Sequence, residues 1–405
     1  MLLHRGWSVV IACGIIASFS WGLGFYGLGV YLHALNRLHG WSAGLISVAV
    51  TVYYAVSAGG IVLVGGFIDR HGPRGVLTYG VVSMAAAVAA LGLITAPWQL
   101  FAVYLVLATS WSCLSLTGIS STILPWFGRR QGLAMTLALT GASVGGMVLV
   151  PILIALAQHR SFQFATAVAG AASLGIGLPL VLFVIRGRPA APEVAVELER
   201  YGAAAPGDEG ARQARIWTRQ EVLRVPLLWT LMGPFALALA AQVGFIVHQI
   251  SLLEPHLGES RAALTVSATT VAALLGRIAL GVLSDRMDLR NLSAFNIGAQ
   301  GVALAVMATW PSPAMFVAGS LVFGLGVGNL ITLPPLLARE EFGQRSFGTV
   351  FGLVAATAQA GVALGPGLMG LLYDALGSYQ PVLWCLVGLE GLAVAAVLWG
   401  KALRR

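Results

Sequence analysis

The chain alternates long apolar runs with short polar interruptions, and the runs are of similar length. A window of about 20 residues, the number an α-helix needs to cross the hydrocarbon of a bilayer, locates the spans one after another. They are predicted near 8–32, 42–66, 76–95, 98–124, 131–157, 163–185, 226–253, 263–284, 291–310, 314–338, 347–373 and 380–400. A long polar stretch separates the sixth from the seventh. It reads "RGRPAAPEVAVELERYGAAAPGDEGARQAR", a mixture of charge, Pro and Gly that suits a linker. After it, Thr218 and Glu221 in "WTRQEVLRVP" have the spacing of a capping box, so a short surface helix is expected there. The pattern predicts an all-α polytopic membrane protein of twelve transmembrane helices. One six-helix bundle falls in 1–186, a linker with a short amphipathic helix in 187–225, and a second bundle in 226–405.

Composition narrows the class further. Of 405 residues, 58% are hydrophobic and 9% charged, against about 25% charged in soluble domains. A water-facing surface cannot be assembled from so few charges. The 51 glycines suit helices that pack closely in lipid. Cys13, Cys113 and Cys385 lie in apolar runs without paired spacing, which disfavours a disulfide or zinc framework. The net charge of +8 is not a nucleic-acid footprint, because the cations gather in alternate loops. With the N-terminus in the cytoplasm, that side holds Arg5, Arg70, Arg74, Arg129, Arg130, Arg286, Arg290, Arg339, Arg345, Lys401, Arg404, Arg405 and the linker arginines. The other side holds Arg37, Arg160 and Arg261. The positive-inside rule then puts both termini and the linker in the cytoplasm. The first apolar run is too long for a signal-peptide core and leads directly into a second span, which disfavours a cleavable signal. A bacterial inner membrane is the expected home.

A charged clip occurs twice. "GGFIDRHGPRG" begins at Gly65 and "GVLSDRMDLRN" at Gly281, and an offset of 216 superposes Gly65, Asp69, Arg70 and Arg74 on Gly281, Asp285, Arg286 and Arg290. An offset of 215 brings His33 onto His248, "FGRRQG" at Phe127 onto "FGQRSFG" at Phe342, and Gly146 onto Gly361. Agreement of separate landmarks within one residue indicates a parallel duplication of a six-span unit.

"GGFIDRHGPRG" resembles the loop 2–3 signature of the major facilitator superfamily, and this resemblance covers nearly the whole chain. "WFGRRQGLAMTLALTGASVGG" from Trp126 and "GRIALGVLSDR" from Gly276 resemble spans 5 and 8 of its monocarboxylate and oxalate/formate carriers. The resemblance implies the two-bundle major facilitator fold, with Asp69, Arg70, Arg74, Asp285, Arg286 and Arg290 as a gate between the bundles. A carboxylate facing a guanidinium in one packing and not in the other is suited to that task. Topology marking alone is the plainer reading of the same arginines. The second copy departs from the signature by placing Asp288 where Gly72 stands in the first.

The largest difference between the halves is at Ile61, whose repeat partner is Arg277. Arg277 precedes Asp285 by eight residues, which puts it about 12 Å along the helix and near the middle of an apolar layer about 30 Å thick. Such a charge usually faces a cavity and pairs with something. The spans expected to line a central cavity with span 8 contain no acid, so the simplest partner is an anion from outside the chain. A guanidinium clasps a carboxylate through two parallel hydrogen bonds, and the resemblance implies the same substrate role for Arg277. The other reading is an arginine bonded to helix carbonyls or to Glu390 in span 12. Softer candidates for the substrate site are Tyr53, Tyr54, Trp111, Ser115, Thr140, Asn329 and Gln359. His248 is a candidate for carrying a coupling proton. This chain has Ala273 where such carriers often place an Asp, and no cation in "WGLGFYGLG" of span 1, so proton coupling and the identity of the anion stay open.

With no nucleotide loop, metal cluster or paired catalytic carboxylates in the sequence, an enzyme is disfavoured and no cofactor or metal is expected. The sequence reading is therefore a secondary carrier of a small molecule, probed first as a carboxylate anion. It is expected to act in the lipid bilayer as a monomer with no nucleic-acid partner. The alternative is a carrier of a larger or neutral compound, either a vitamin-like nutrient taken up or a drug or metabolite expelled.

Overall fold

In a computed structural model of the chain, residues 5–127, 131–185, 217–284, 286–343 and 346–403 are described, and among them every regular element is a helix. Most of the linker predicted at 187–225 lies outside the described residues. Twelve helices are long and apolar enough to cross a membrane, so the protein is a multi-pass membrane protein. Spans 1 to 6 are Arg5–His39, Ala43–Ile68, Pro73–Leu91, Pro97–Trp126, Leu133–His159 and Phe162–Val184. Spans 7 to 12 are Pro226–Leu257, Glu259–Gly281, Leu289–Thr309, Pro313–Phe342, Thr349–Leu376 and Tyr379–Ala402.

Local chemistry sets where the helices start and stop. Pro73, Pro97, Pro226 and Pro313 stand in the first turn of their helices, where a missing N–H is no loss. Ser161, Asp288 and Ser312 accept a backbone N–H from the first turn of spans 6, 9 and 10. The capping box foreseen at Thr218 and Glu221 is formed ahead of the short helix Arg219–Leu223. Among the described residues positive φ is confined to Gly40, Gly72, Gly258, Gly343 and Gly377, each beside the end of a span. Only glycine enters that region without strain.

The predicted spans fall short at several ends. Span 1 continues past 32 to His39, because Asn36, Arg37 and His39 prolong the helix until Gly40 turns it off. Five spans are also irregular inside, span 6 through a π-turn at Leu180–Val184 that follows Pro179. Spans 1 and 5 each contain a π-turn, at Gly22–Tyr26 and Gly145–Leu149, and the two turns pack together through Gly22 and Gly145. Span 4 breaks at Ser115, whose backbone is extended (ψ 179°) between helices Pro97–Leu114 and Leu116–Ile123. Span 10 breaks at Gly328, between Pro313–Val327 and Asn329–Phe342.

The described residues fall into two compact units. One holds residues up to Trp41 and from Val52 through span 6, and the other holds Ser42–Thr51 with everything described after the linker.

Candidate substrate site

Arg277 is best understood from the helix beside it. Spans 8 and 10 cross at glycines: a side chain on Gly276 would strike the Leu325 carbonyl, and one on Gly324 would strike the backbone of Thr269. This close approach carries Arg277 alongside the break in span 10. A Cβ built on Gly328 would lie 2.7 Å from Arg277 Nε and 3.0 Å from Nη2, so the guanidinium fills the place of the missing side chain. Arg277 is half-buried, and among the described residues it makes no hydrogen bond and no ion pair. Glu390 does not answer it, since neither carboxyl oxygen of Glu390 has a hydrogen-bond partner.

The amides around the break are engaged with one another. Asn329 Nδ2 donates to Asn296 Oδ1 (2.8 Å) and to the Leu325 carbonyl (3.1 Å), and Asn296 Nδ2 donates to the Gly326 carbonyl (3.3 Å). Gln300 Nε2 donates to Gln242 Oε1 (3.0 Å). Two acceptors are left over in this chain of amides, Asn329 Oδ1 and Gln300 Oε1. The span-10 segment Gly324–Asn329 thus receives Thr269, Gln300 and Arg277 into the spaces of its three glycines. Asn296, Gln300 and Gln242 tie spans 7, 9 and 10 behind the arginine. Asn296 and Gln300 were absent from the sequence-based candidates, because span 9 had given no reason to look there. Gln359 is half-buried on span 11.

In the first unit the candidates form an aromatic wall. Tyr53 and Tyr54 lie 4.8 Å apart by ring centroid, and Trp111 packs 4.9 Å from Trp21 and stacks on Phe25 at 6.4 Å. Tyr53 donates its hydroxyl to the Gly24 carbonyl (2.7 Å) at the π-turn of span 1. The hydroxyls of Tyr54 and Tyr104 are buried without partners. Ser115 and Thr140 donate to carbonyls of their own spans, Ser112 and Thr136. That leaves polar capacity in the wall chiefly at the tyrosines.

His248 is fully buried in the second unit, and both ring nitrogens are occupied. Nε2 lies 2.9 Å from Ser47 Oγ and 3.3 Å from the Pro366 carbonyl, and Nδ1 lies 3.0 Å from Tyr379 Oη. His33, its repeat counterpart, is buried in the first unit.

The clip residues are placed unevenly. Asp285 and the Asp69 side chain lie outside the described residues, and Arg70 and Arg286 are exposed. Arg74 is exposed and donates to the Leu182 carbonyl (2.9 Å). Arg290 is 1% exposed and grips Glu341 through Nε and Nη2 (2.7 and 2.8 Å), while Nη1 donates to the Thr230 and Val397 carbonyls. It thereby ties spans 7, 9, 10 and 12 within the second unit.

Known proteins match most of this chain, in fold or in sequence. A solved structure of the nucleoside transporter NupG, in a single-site mutant form, superposes with a TM-score of 0.77 over 97% of this chain and 99% of its own at 13% identity, a likeness of fold. MFS-type transporter 1 of Ophiocordyceps sp. (strain BCC 1869) is 27% identical over 87% of this chain and 76% of its own length. Monocarboxylate transporter 12-B of Danio rerio is 25% identical over 69% of this chain, and the match spans 62% of that relative. The family model of the Major Facilitator Superfamily matches residues 12–292 and 250–404. With twelve spans, a duplicated clip and that match, the chain belongs to the Major Facilitator Superfamily and resembles its monocarboxylate transporter branch.

Proposed function

We propose that the protein is a secondary carrier of small, monocarboxylate-like organic anions that works by alternating access. The observation that supports this reading is the guanidinium of Arg277, half-buried against the span-10 break without a hydrogen bond or ion pair among the described residues. A cation in that position is unfavourable until an anion joins it, and a planar fork of N–H donors suits a carboxylate. The likeness to a monocarboxylate transporter agrees. Asn329, beside the break, is the proposed second contact through its unpartnered Oδ1. Asp69, Arg70, Arg74, Asp285 and Arg286 remain the proposed gate. Arg290 we assign to holding its own unit together. A bacterial inner membrane with both termini in the cytoplasm, and a monomer, complete the proposal.

Counterflow in proteoliposomes with labelled lactate, pyruvate and oxalate tests it. Wild type should exchange at least one of them, Arg277→Ala should lose the exchange, and Arg277→Lys should restore little because it lacks the fork. Exchange that survives Arg277→Ala intact would contradict the anion reading. A second reading is supported by the wall of Tyr53, Tyr54, Trp111 and Phe25, whose ring faces suit a larger or neutral compound. That reading expects Trp111→Ala to abolish exchange of a ring-containing substrate that Arg277→Ala leaves intact.

A further inference from the structure

Glu390 sits halfway along span 12, whereas the other acids of the described spans lie within a turn of an end. It is 1% exposed, and neither oxygen has a hydrogen-bond partner. Its stem packs on Gly301 of span 9, where an added Cβ would come within 3.2 Å of Glu390 Cβ. The titratable groups on the spans packed against span 12 are Arg290 on span 9, His248, Glu254 and His256 on span 7, and Tyr373 and Asp374 on span 11. None of them is bonded to Glu390. Arg290 is held by Glu341, and the His248 ring by Ser47, Tyr379 and the Pro366 carbonyl.

A carboxylate in hydrocarbon with no donor to receive is so unfavourable that the group takes up a proton instead. A polar residue kept for structure alone has an example next door: Gln242, Asn296, Gln300 and Asn329 all join hydrogen bonds within the same unit. Glu390 does not join them. His248 differs, because both of its ring nitrogens already have partners.

We propose that Glu390 is a proton-binding site of the carrier. It holds a proton taken from water in the packing seen here, and returns it to water when spans 9 and 12 part enough for water to reach the carboxyl. This rests on the reading of the protein as a carrier and moves the coupling proton from His248 to Glu390.

Infrared difference spectra of the protein in proteoliposomes, taken between acidic and alkaline buffer without substrate, read the carboxyl itself. Wild type should show a protonated-carboxyl C=O band that fades as the pH rises, and Glu390→Gln should lack that band throughout. In transport, Glu390→Gln keeps the shape of the neutral acid, so counterflow of labelled lactate, pyruvate or oxalate should persist while accumulation driven by a pH gradient is lost. A Glu390 band that never changes with pH would overturn the proposal, and so would equal pH-driven accumulation in wild type and Glu390→Gln. If wild type exchanges none of these carboxylates, the anion reading fails, and the infrared titration still decides for or against Glu390.

Discussion

Arg74 and Arg290 hold the same place in the two copies of the clip, yet they live in opposite surroundings. Arg74 is exposed and reaches one carbonyl, at Leu182. Arg290 is 1% exposed, bidentate to Glu341, and bonded to carbonyls on spans 7 and 12. The same divergence runs a few turns deeper. At the crossing of spans 2 and 4, Gly60 faces the Ser112 hydroxyl, and Ile61 follows it. At the crossing of spans 8 and 10, Gly276 faces the Leu325 carbonyl, and Arg277 follows it onto Gly328. Duplication supplied two equal frames. One was filled with rings and hydroxyls. The other received a locked ion pair at its end and, in its interior, a cation left unbonded among the described residues.

The largest test of this contrast is Arg290→Ala. It removes a buried bidentate ion pair with Glu341 and the tie among four spans, so a loss of about 3–5 kcal/mol is expected, read as a lower melting temperature in detergent. Arg290→Met combined with Glu341→Leu should recover most of it, because both members of the buried pair are then replaced by apolar groups of similar volume.

Next comes Gly276→Ala. Its methyl meets a backbone carbonyl that cannot rotate away, and about 1–3 kcal/mol of destabilisation is expected. Gly60→Ala meets the Ser112 hydroxyl and Cβ instead of a helix backbone, and only the hydroxyl among these can rotate, so its melting temperature should fall less. Equal losses at the two crossings would erase the distinction drawn between them.

Gly328→Ala should act on transport more than on the fold. The new methyl takes the space of the Arg277 guanidinium, and a rise of about fivefold in KM for a carboxylate is expected, the equivalent of one displaced hydrogen bond. The melting temperature should move little.

The smallest effect belongs to Arg74→Ala. An exposed arginine with one carbonyl partner should contribute about 0.5 kcal/mol or less, a small fraction of the Arg290→Ala effect in the same melt.

Most of the fold was legible because a bilayer imposes a length and a polarity on each crossing, and a hydropathy window measures both. Helix ends were harder, since His39 and its polar neighbours extend a helix without extending an apolar run. The breaks at Ser115 and Gly328 fall within apolar sequence, to which hydropathy is blind. The π-turn at Gly22–Tyr26 is likewise hidden in "WGLGFY", a string that reads as close packing. At the site, Arg277 stood out because a charge inside an apolar run is conspicuous. Its setting did not, because the glycines that seat it lie on another helix, some fifty residues on. The setting of Arg290 was hidden in the same way: an arginine in a short loop reads as a membrane-side marker, and its partner Glu341 is 51 residues away. His248 was a reasonable candidate as an isolated histidine, but its partners at Ser47, Pro366 and Tyr379 come from three other helices.

Ligand-dependent melting reads the proposed anion site at Arg277 without any transport assay. A carboxylate that binds the folded carrier raises its melting temperature in proportion to the logarithm of ligand excess. Titrating lactate, pyruvate and oxalate into wild type, Arg277→Lys and Arg277→Ala should give a clear rise for at least one anion, a reduced rise, and none, in that order. A rise of equal size in wild type and Arg277→Ala would contradict the account.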